Sequence, residues 1–137
     1  MKAHRIRFRV LYGDTDRMGV VYYANYFRYF EAGRNEFLRA AAIEYTGIEE
    51  AGYMLPVADA HARYKAPAQY DDELELETYV PQVGISSLRM AYRLTRVSDG
   101  QLLATGETRH ACVRTDGSVC RLPESFRKKL KPHGHDA

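Results

Sequence analysis

One helical period followed by an almost unbroken series of alternating runs constrains this chain more than any other feature. From Ala24 onward, Phe27, Phe30, Phe37, Leu38 and Ala41 recur at helical spacing, with Tyr23 and Tyr26 extending the apolar side. Arg28, Glu31, Asn35, Glu36 and Arg39 fall on the opposite face. After Tyr53 the period drops to two in "PVADAHARYKA" (56–66), "ELELETYV" (73–80), "SSLRMAYRLTRV" (86–97) and "QLLATGETRHACVRT" (101–115). Turn sequences at "YDD", Ser98-Asp99-Gly100 and Asp116-Gly117 separate these runs. Ahead of the helix, "HRIRFRVLY" (4–12) sets Ile6, Phe8 and Val10 against Arg5, Arg7 and Arg9, a half-buried strand. At the far end "PESFRKKL" (123–130) opens with proline and reads as a short amphipathic helix.

A single long helix and a meander of strands have one economical packing, in which a curved antiparallel sheet of five to six strands wraps the helix. The fold class is α+β. Gly33 sits mid-helix, where it costs about 1 kcal/mol relative to alanine, so a close backbone approach to a neighbour is expected there. Such a sheet leaves an edge strand bare, and pairing of edges between subunits is a common remedy. A homodimer or homotetramer is therefore expected.

With 137 residues the chain makes one domain, with a core over about 4–130 and a tail at 131–137. A net charge of +2 falls short of a nucleic-acid footprint. No run approaches the roughly eighteen apolar residues of a membrane span. "MKAHRIRFRV" lacks the apolar core of a signal peptide, which points to the cytoplasm. Cys112 and Cys120 lack C-x-x-C spacing; a hairpin could bring them together, and in the cytoplasm the pair is expected to be reduced. The five histidines are scattered, and no metal site is expected.

The chemistry concentrates in "YGDTDRMGVVYYANYFRYFEAGRNEF", Tyr12 to Phe37. Asp14 and Asp16 lie in the turn between strand and helix, beside apolar Val20 and Val21. Peptide N–H groups at a helix start lack intrahelical partners and carry partial positive charge, so they can hold a polarised carbonyl oxygen. An aspartate within reach of that carbonyl would serve acyl transfer to water. From the residues alone, turn formation and helix capping are the favoured explanation of the aspartates, and suit Asp14, directly after Gly13, better than Asp16. Glu31 and Arg34 are expected to form an i,i+3 ion pair.

The same stretch, Tyr-x-Asp-Thr-Asp-x-x-Gly-Val-Val-Tyr followed by Asn-Tyr, an aromatic, Glu and Arg, resembles the signature of hotdog-fold acyl-CoA thioesterases of the 4-hydroxybenzoyl-CoA thioesterase family. It is most similar to the branch containing the Tol–Pal-associated bacterial thioesterases. "RYKAPAQYDDELELET" (63–78) resembles a second segment of that family. The resemblance implies a hotdog fold and hydrolysis of an acyl-CoA, or an acyl-carrier-protein thioester, to free acid and thiol. It makes Asp16 the nucleophile or general base and the backbone N–H of Tyr23 the oxyanion donor. Gly19 would let the loop turn tightly beneath the thioester, with Val20 beside it. A carboxylate against Val20 and Val21 should be poorly solvated, with a raised pKa.

The resemblance also implies that pantetheine lies between subunits, near Pro56, Val57, Ala58 and Ser87. Arg63, Lys65, Arg89, Arg93 and Arg121 are candidate phosphate partners. No cofactor is implied beyond the coenzyme A of the substrate, and no metal. Tyr22, Tyr23, Tyr26, Phe27, Met54 and Tyr64 could line an acyl pocket. A non-catalytic acyl-CoA or acyl-carrier binding module is the alternative, since fold does not fix function.

Overall fold

The computed structural model describes residues 2–43 and 45–130. The tail expected at 131–137 lies outside the described residues. β1 (His4–Arg9) leads through a 3-10 turn at Tyr12–Asp14 into helix α1 (Asn25–Ala40). α2 (Tyr45–Glu50) and the short β2 (Tyr53–Met54) follow. The chain then builds β3 (Val57–Tyr64), β4 (Glu73–Val83), β5 (Ser87–Arg96), β6 (Leu102–Ala111), β7 (Val113–Arg114) and α3 (Glu124–Lys129). β1, β4, β5, β6 and β3, in that spatial order, form one antiparallel sheet; β2 pairs with β7 beside it. Among the described residues no helix is long and apolar enough to cross a membrane.

Charge and apolarity fix the β1–β4 register together. Ile6 lies opposite Leu76 and Phe8 opposite Leu74, while Arg5, Arg7 and Arg9 lie opposite Glu77, Glu75 and Glu73. A slip of one residue would turn the apolar set outward and break the charge ladder at the same time. Arg7 Nε reaches Glu75 Oε1 at 3.2 Å, and Arg5 is 3.6 Å from Glu77. The exposed Arg7–Glu75 contact specifies alignment more than it adds stability, whereas Glu77 is buried.

α1 packs against β1, β4 and β5 of the sheet and buries Tyr26, Tyr29, Phe30, Gly33, Phe37 and Leu38. This is the hotdog arrangement. The helix was expected to be long; at 16 residues it spans about 24 Å, a middling length. Phe27 and Ala41, expected on its core face, are only partly buried, and Tyr23 is 61% exposed. Tyr29 takes the buried place instead.

Gly33 is where helix and sheet touch most closely. A Cβ there would collide with the Leu76 side chain and sit 2.6 Å from Thr78 Oγ1. The helix-weakening glycine is thus required by the packing. One turn earlier, the Phe30 ring stacks on Tyr92 at 4.5 Å, against the bare backbone of Gly106.

Candidate active site

The loop before α1 folds back on itself as a miniature hairpin. Thr15 bridges Val21, Asp16 N–H donates to Val20 O at 2.9 Å, and Gly19 N–H donates to Asp16 O at 3.0 Å. Gly19 closes the turn with φ +79°, a left-handed conformation that side chains resist. Val20 bridges Gln69, and Val21 N–H donates to Ala68 O at 2.8 Å, so the hairpin is stitched to the segment after β3.

The two aspartates do different work. Asp14 is buried, and its Oδ2 accepts from Leu11 N–H at 3.0 Å and from Tyr29 O–H at 2.9 Å. Its main-chain oxygen accepts from Tyr22 N–H and Asn25 Nδ2, each at 2.9 Å. Asp14 therefore braces the loop against the helix, extending the turn-forming role the sequence suggests. Burial and the hydrogen bond to Asp14 raise the Tyr29 pKa above the ordinary phenol value.

Asp16 is half-buried, and its Oδ1 accepts from Met18 N–H at 2.8 Å. Among the described residues its second oxygen has no partner. That oxygen is available to a substrate.

Not every N–H group at the helix start is free. The N–H groups of Asn25, Tyr26 and Phe27 are already taken by the carbonyls of Tyr22, Tyr23 and Ala24, at 2.8, 3.3 and 3.3 Å. Among the described residues, the Tyr23 N–H donates to nothing. Its direction follows from the trans peptide. The Tyr22 carbonyl points at Asn25 N–H, so the Tyr23 N–H on the same peptide points the opposite way, out of the helix. Tyr64 O–H pins the next carbonyl, donating to Tyr23 O at 3.0 Å.

Asp16, Val20, Val21, Tyr23, Tyr26 and Tyr64 line one open groove of about 330 Å³, with Met18 and Lys65–Pro67 completing its wall. Of the residues expected to line an acyl pocket, Tyr23, Tyr26 and Tyr64 line this groove. The Tyr64 ring meets Tyr26 edge-on at 5.0 Å, and burial raises the pKa of both phenols. Tyr22, Phe27 and Met54 lie outside it.

Pro56 and Val57 belong to a different groove, of about 390 Å³, whose walls include Arg34, Asn35 and Leu55. Ala58 continues the same strand. Ser87 lies opposite Ala111, whose N–H donates to Pro56 O at 3.1 Å, so the expected pantetheine residues cluster together. They are one strand length from Asp16: Val57 and Tyr64 end β3, separated by roughly 23 Å.

On the wall of this second groove, Arg34 does not form the expected ion pair with Glu31 and instead donates to Tyr92 Oη at 3.2 Å. A buried chain continues from Tyr92 through Thr108 (2.7 Å) to His110 Nε2 (2.8 Å), and His110 Nδ1 lies 3.1 Å from Leu55 O. A carbonyl only accepts, so Nδ1 carries the proton and Nε2 accepts from Thr108. Burial depresses the His110 pKa to about 4.

The thioesterase-like superfamily matches this chain over residues 10–130. The acyl-CoA thioesterase YbgC of Haemophilus influenzae is 34% identical over 128 residues, covering 93% of this chain and 90% of its own. A 1,4-dihydroxy-2-naphthoyl-CoA hydrolase of Synechococcus elongatus is 30% identical over 117 residues, covering 84% of this chain and 85% of its own. The crystal structure of the DHNA-CoA thioesterase of Staphylococcus aureus superposes with a TM-score of 0.86 at 27% identity, over 93% of this chain and 86% of that one.

Proposed function

The chain belongs to the thioesterase-like superfamily and is a thioester hydrolase, and from that premise we propose that it cleaves acyl-CoA at the Asp16 groove. The observation that supports the site is that Asp16, with one carboxylate oxygen uncommitted, and Tyr23, with an uncommitted N–H, both line one groove. The thioester carbonyl oxygen sits on Tyr23 N–H, where developing negative charge is stabilised. The Asp16 carboxylate attacks the carbonyl carbon, or takes a proton from the water that does; either route adds one water and releases acid and thiol. No cofactor is called for beyond the coenzyme A the substrate carries.

The assembly we propose is a two-fold dimer through β3. Seven of its eight residues are exposed, and one of its edges has no partner in the sheet. Antiparallel pairing of two β3 edges sets the Val57 end of one chain beside the Tyr64 end of the other. Pro56, Val57, Ala58 and Ser87 then border the groove holding the partner's Asp16, and the 23 Å gap within one chain disappears. The acyl group enters one groove while pantetheine follows the strand edges. The same route accepts the pantetheine of an acyl carrier protein.

The test is thiol release from a panel of short, long and aromatic acyl-CoAs and acyl-carrier-protein thioesters. Release from at least one class is expected. Saturable binding of the whole panel without release would replace the enzyme with a binding module.

A further inference from the structure

We propose that Cys112 and Cys120 form a reversible disulfide site, oxidised by exchange with a small-molecule disulfide. The argument rests on strand geometry. Beyond β6 the chain forms a hairpin in which Val113 bridges Val119 and Arg114 N–H donates to Ser118 O at 2.8 Å, closed by Gly117 at φ +89°. One step further from the turn, Cys112 and Cys120 stand directly opposite. Cys120 N–H donates to Cys112 O at 2.9 Å, and the two sulfurs are 3.1 Å apart. Both are free thiols. Cα atoms of directly opposed antiparallel residues lie about 4.5–5.5 Å apart, within the range that a disulfide spans.

The two thiols are unequal, and that sets the order of events. Cys112 is fully buried, whereas Cys120 is partly exposed. Burial and the contact with Cys120 push the Cys112 thiol up to about 12, so it is a poor first nucleophile. Cys120 attacks one sulfur of the oxidant disulfide and releases one small thiol. Cys112 then gives up its proton, attacks the Cys120 sulfur and expels the second small thiol, which takes that proton. Two protein thiols are oxidised to one disulfide, and one small disulfide is reduced to two thiols.

The site has a neighbour that matters. Val113 and Arg114 pair with Met54 and Tyr53, immediately before Leu55, Pro56 and Val57. Cys112 N–H donates to Ser86 O at 2.9 Å, beside Ser87. The disulfide would staple the hairpin that frames the second groove.

The experiment treats the full chain, folded, with oxidised glutathione and reads intact mass and free thiols. The expected product has lost two hydrogens, has no titratable thiol, contains no chain-to-chain link and reverts with dithiothreitol. Its Tm should rise by roughly 5–10 °C relative to the reduced chain. Cys120→Ser, which leaves the buried cysteine in place, should show one thiol that stays unreactive until the chain unfolds. The proposal is overturned by a persistent glutathione adduct on Cys120, by a link between chains, or by reaction only in denaturant. A disulfide that forms but lowers Tm would also overturn it, because the native hairpin would then not accommodate the bond.

Discussion

Removing the Asp14 carboxylate should cost the fold far more than its place in a surface turn suggests. Asp14→Ala deletes an acceptor that serves Leu11 N–H and Tyr29 O–H at 3.0 and 2.9 Å, in a residue only 7% exposed. Hydrogen bonds to a buried charge are worth about 1.5–3 kcal/mol each, so the loss should be roughly 3–5 kcal/mol. The guanidinium of Arg28, 3.9 Å away and mostly exposed, adds little to that figure. Against a total stability of about 5–15 kcal/mol, such a loss should lower Tm by roughly 10 °C or more.

The sharper test of this brace is a double-mutant cycle read by urea melts. Tyr29→Phe alone should cost about 1–2 kcal/mol. In the Asp14→Ala background it should cost nothing or restore some stability, because it removes a hydroxyl already stranded in the interior. The cycle has a pH signature as well. The Tyr29 pKa is raised in the fold, so its contribution is complete below about pH 10 and is lost as pH rises above that value; Tyr29→Phe should flatten this alkaline loss. Strict additivity, or an Asp14→Ala cost below about 1 kcal/mol, would refute the brace.

Two further predictions concern the core. Gly33→Ala improves helix propensity by about 1 kcal/mol but drives a methyl into Leu76 and Thr78, so a net destabilisation of about 1–3 kcal/mol is expected in denaturant melts; a more stable variant would refute the close approach. His110 has a folded pKa near 4, below its ordinary 6.5, so its contribution, up to about 3 kcal/mol, is complete above pH 6.5 and is lost as pH falls toward 4. Ring-proton NMR should show no His110 titration between pH 6 and 7, and a midpoint in that range would contradict the buried chain from Arg34 to Leu55.

Much of this architecture is legible in the sequence because local pattern and tertiary contact agree. Arg5, Arg7 and Arg9 alternate in one run and Glu73, Glu75 and Glu77 in another, and the sheet sets them opposite one another. Gly33 advertises a close approach by being the wrong residue for a helix interior. Tyr29 escaped notice although it shares the stripe of Tyr26, Phe30, Gly33 and Phe37. Its hydroxyl partner, Asp14, is fifteen residues away, and no local period reports such a pair. Helix-end reasoning alone does not single out a donor: turn-type bonds consume the N–H groups of Asn25, Tyr26 and Phe27, while the Tyr23 N–H that the resemblance implies has no acceptor among the described residues. Pro56 to Ala58 and Asp16 are parts of one site by the resemblance, yet the first lie at the Val57 end of β3 and Asp16 shares its groove with Tyr64 at the other; the β3 pairing we propose would bring them together across two chains.

The central claim is that Asp16 carries the chemistry while Asp14 carries the loop. Single-turnover hydrolysis and equilibrium binding of the best acyl-CoA should be compared between the native chain and Asp16→Asn. The account predicts a rate loss on the order of 10² or more, with Kd and Tm nearly unchanged, because the amide keeps the shape and the bond to Met18 N–H but can neither attack nor take a proton. An Asp16→Asn chain that still cleaves within about tenfold of the native rate would move the reaction to another group and contradict the account.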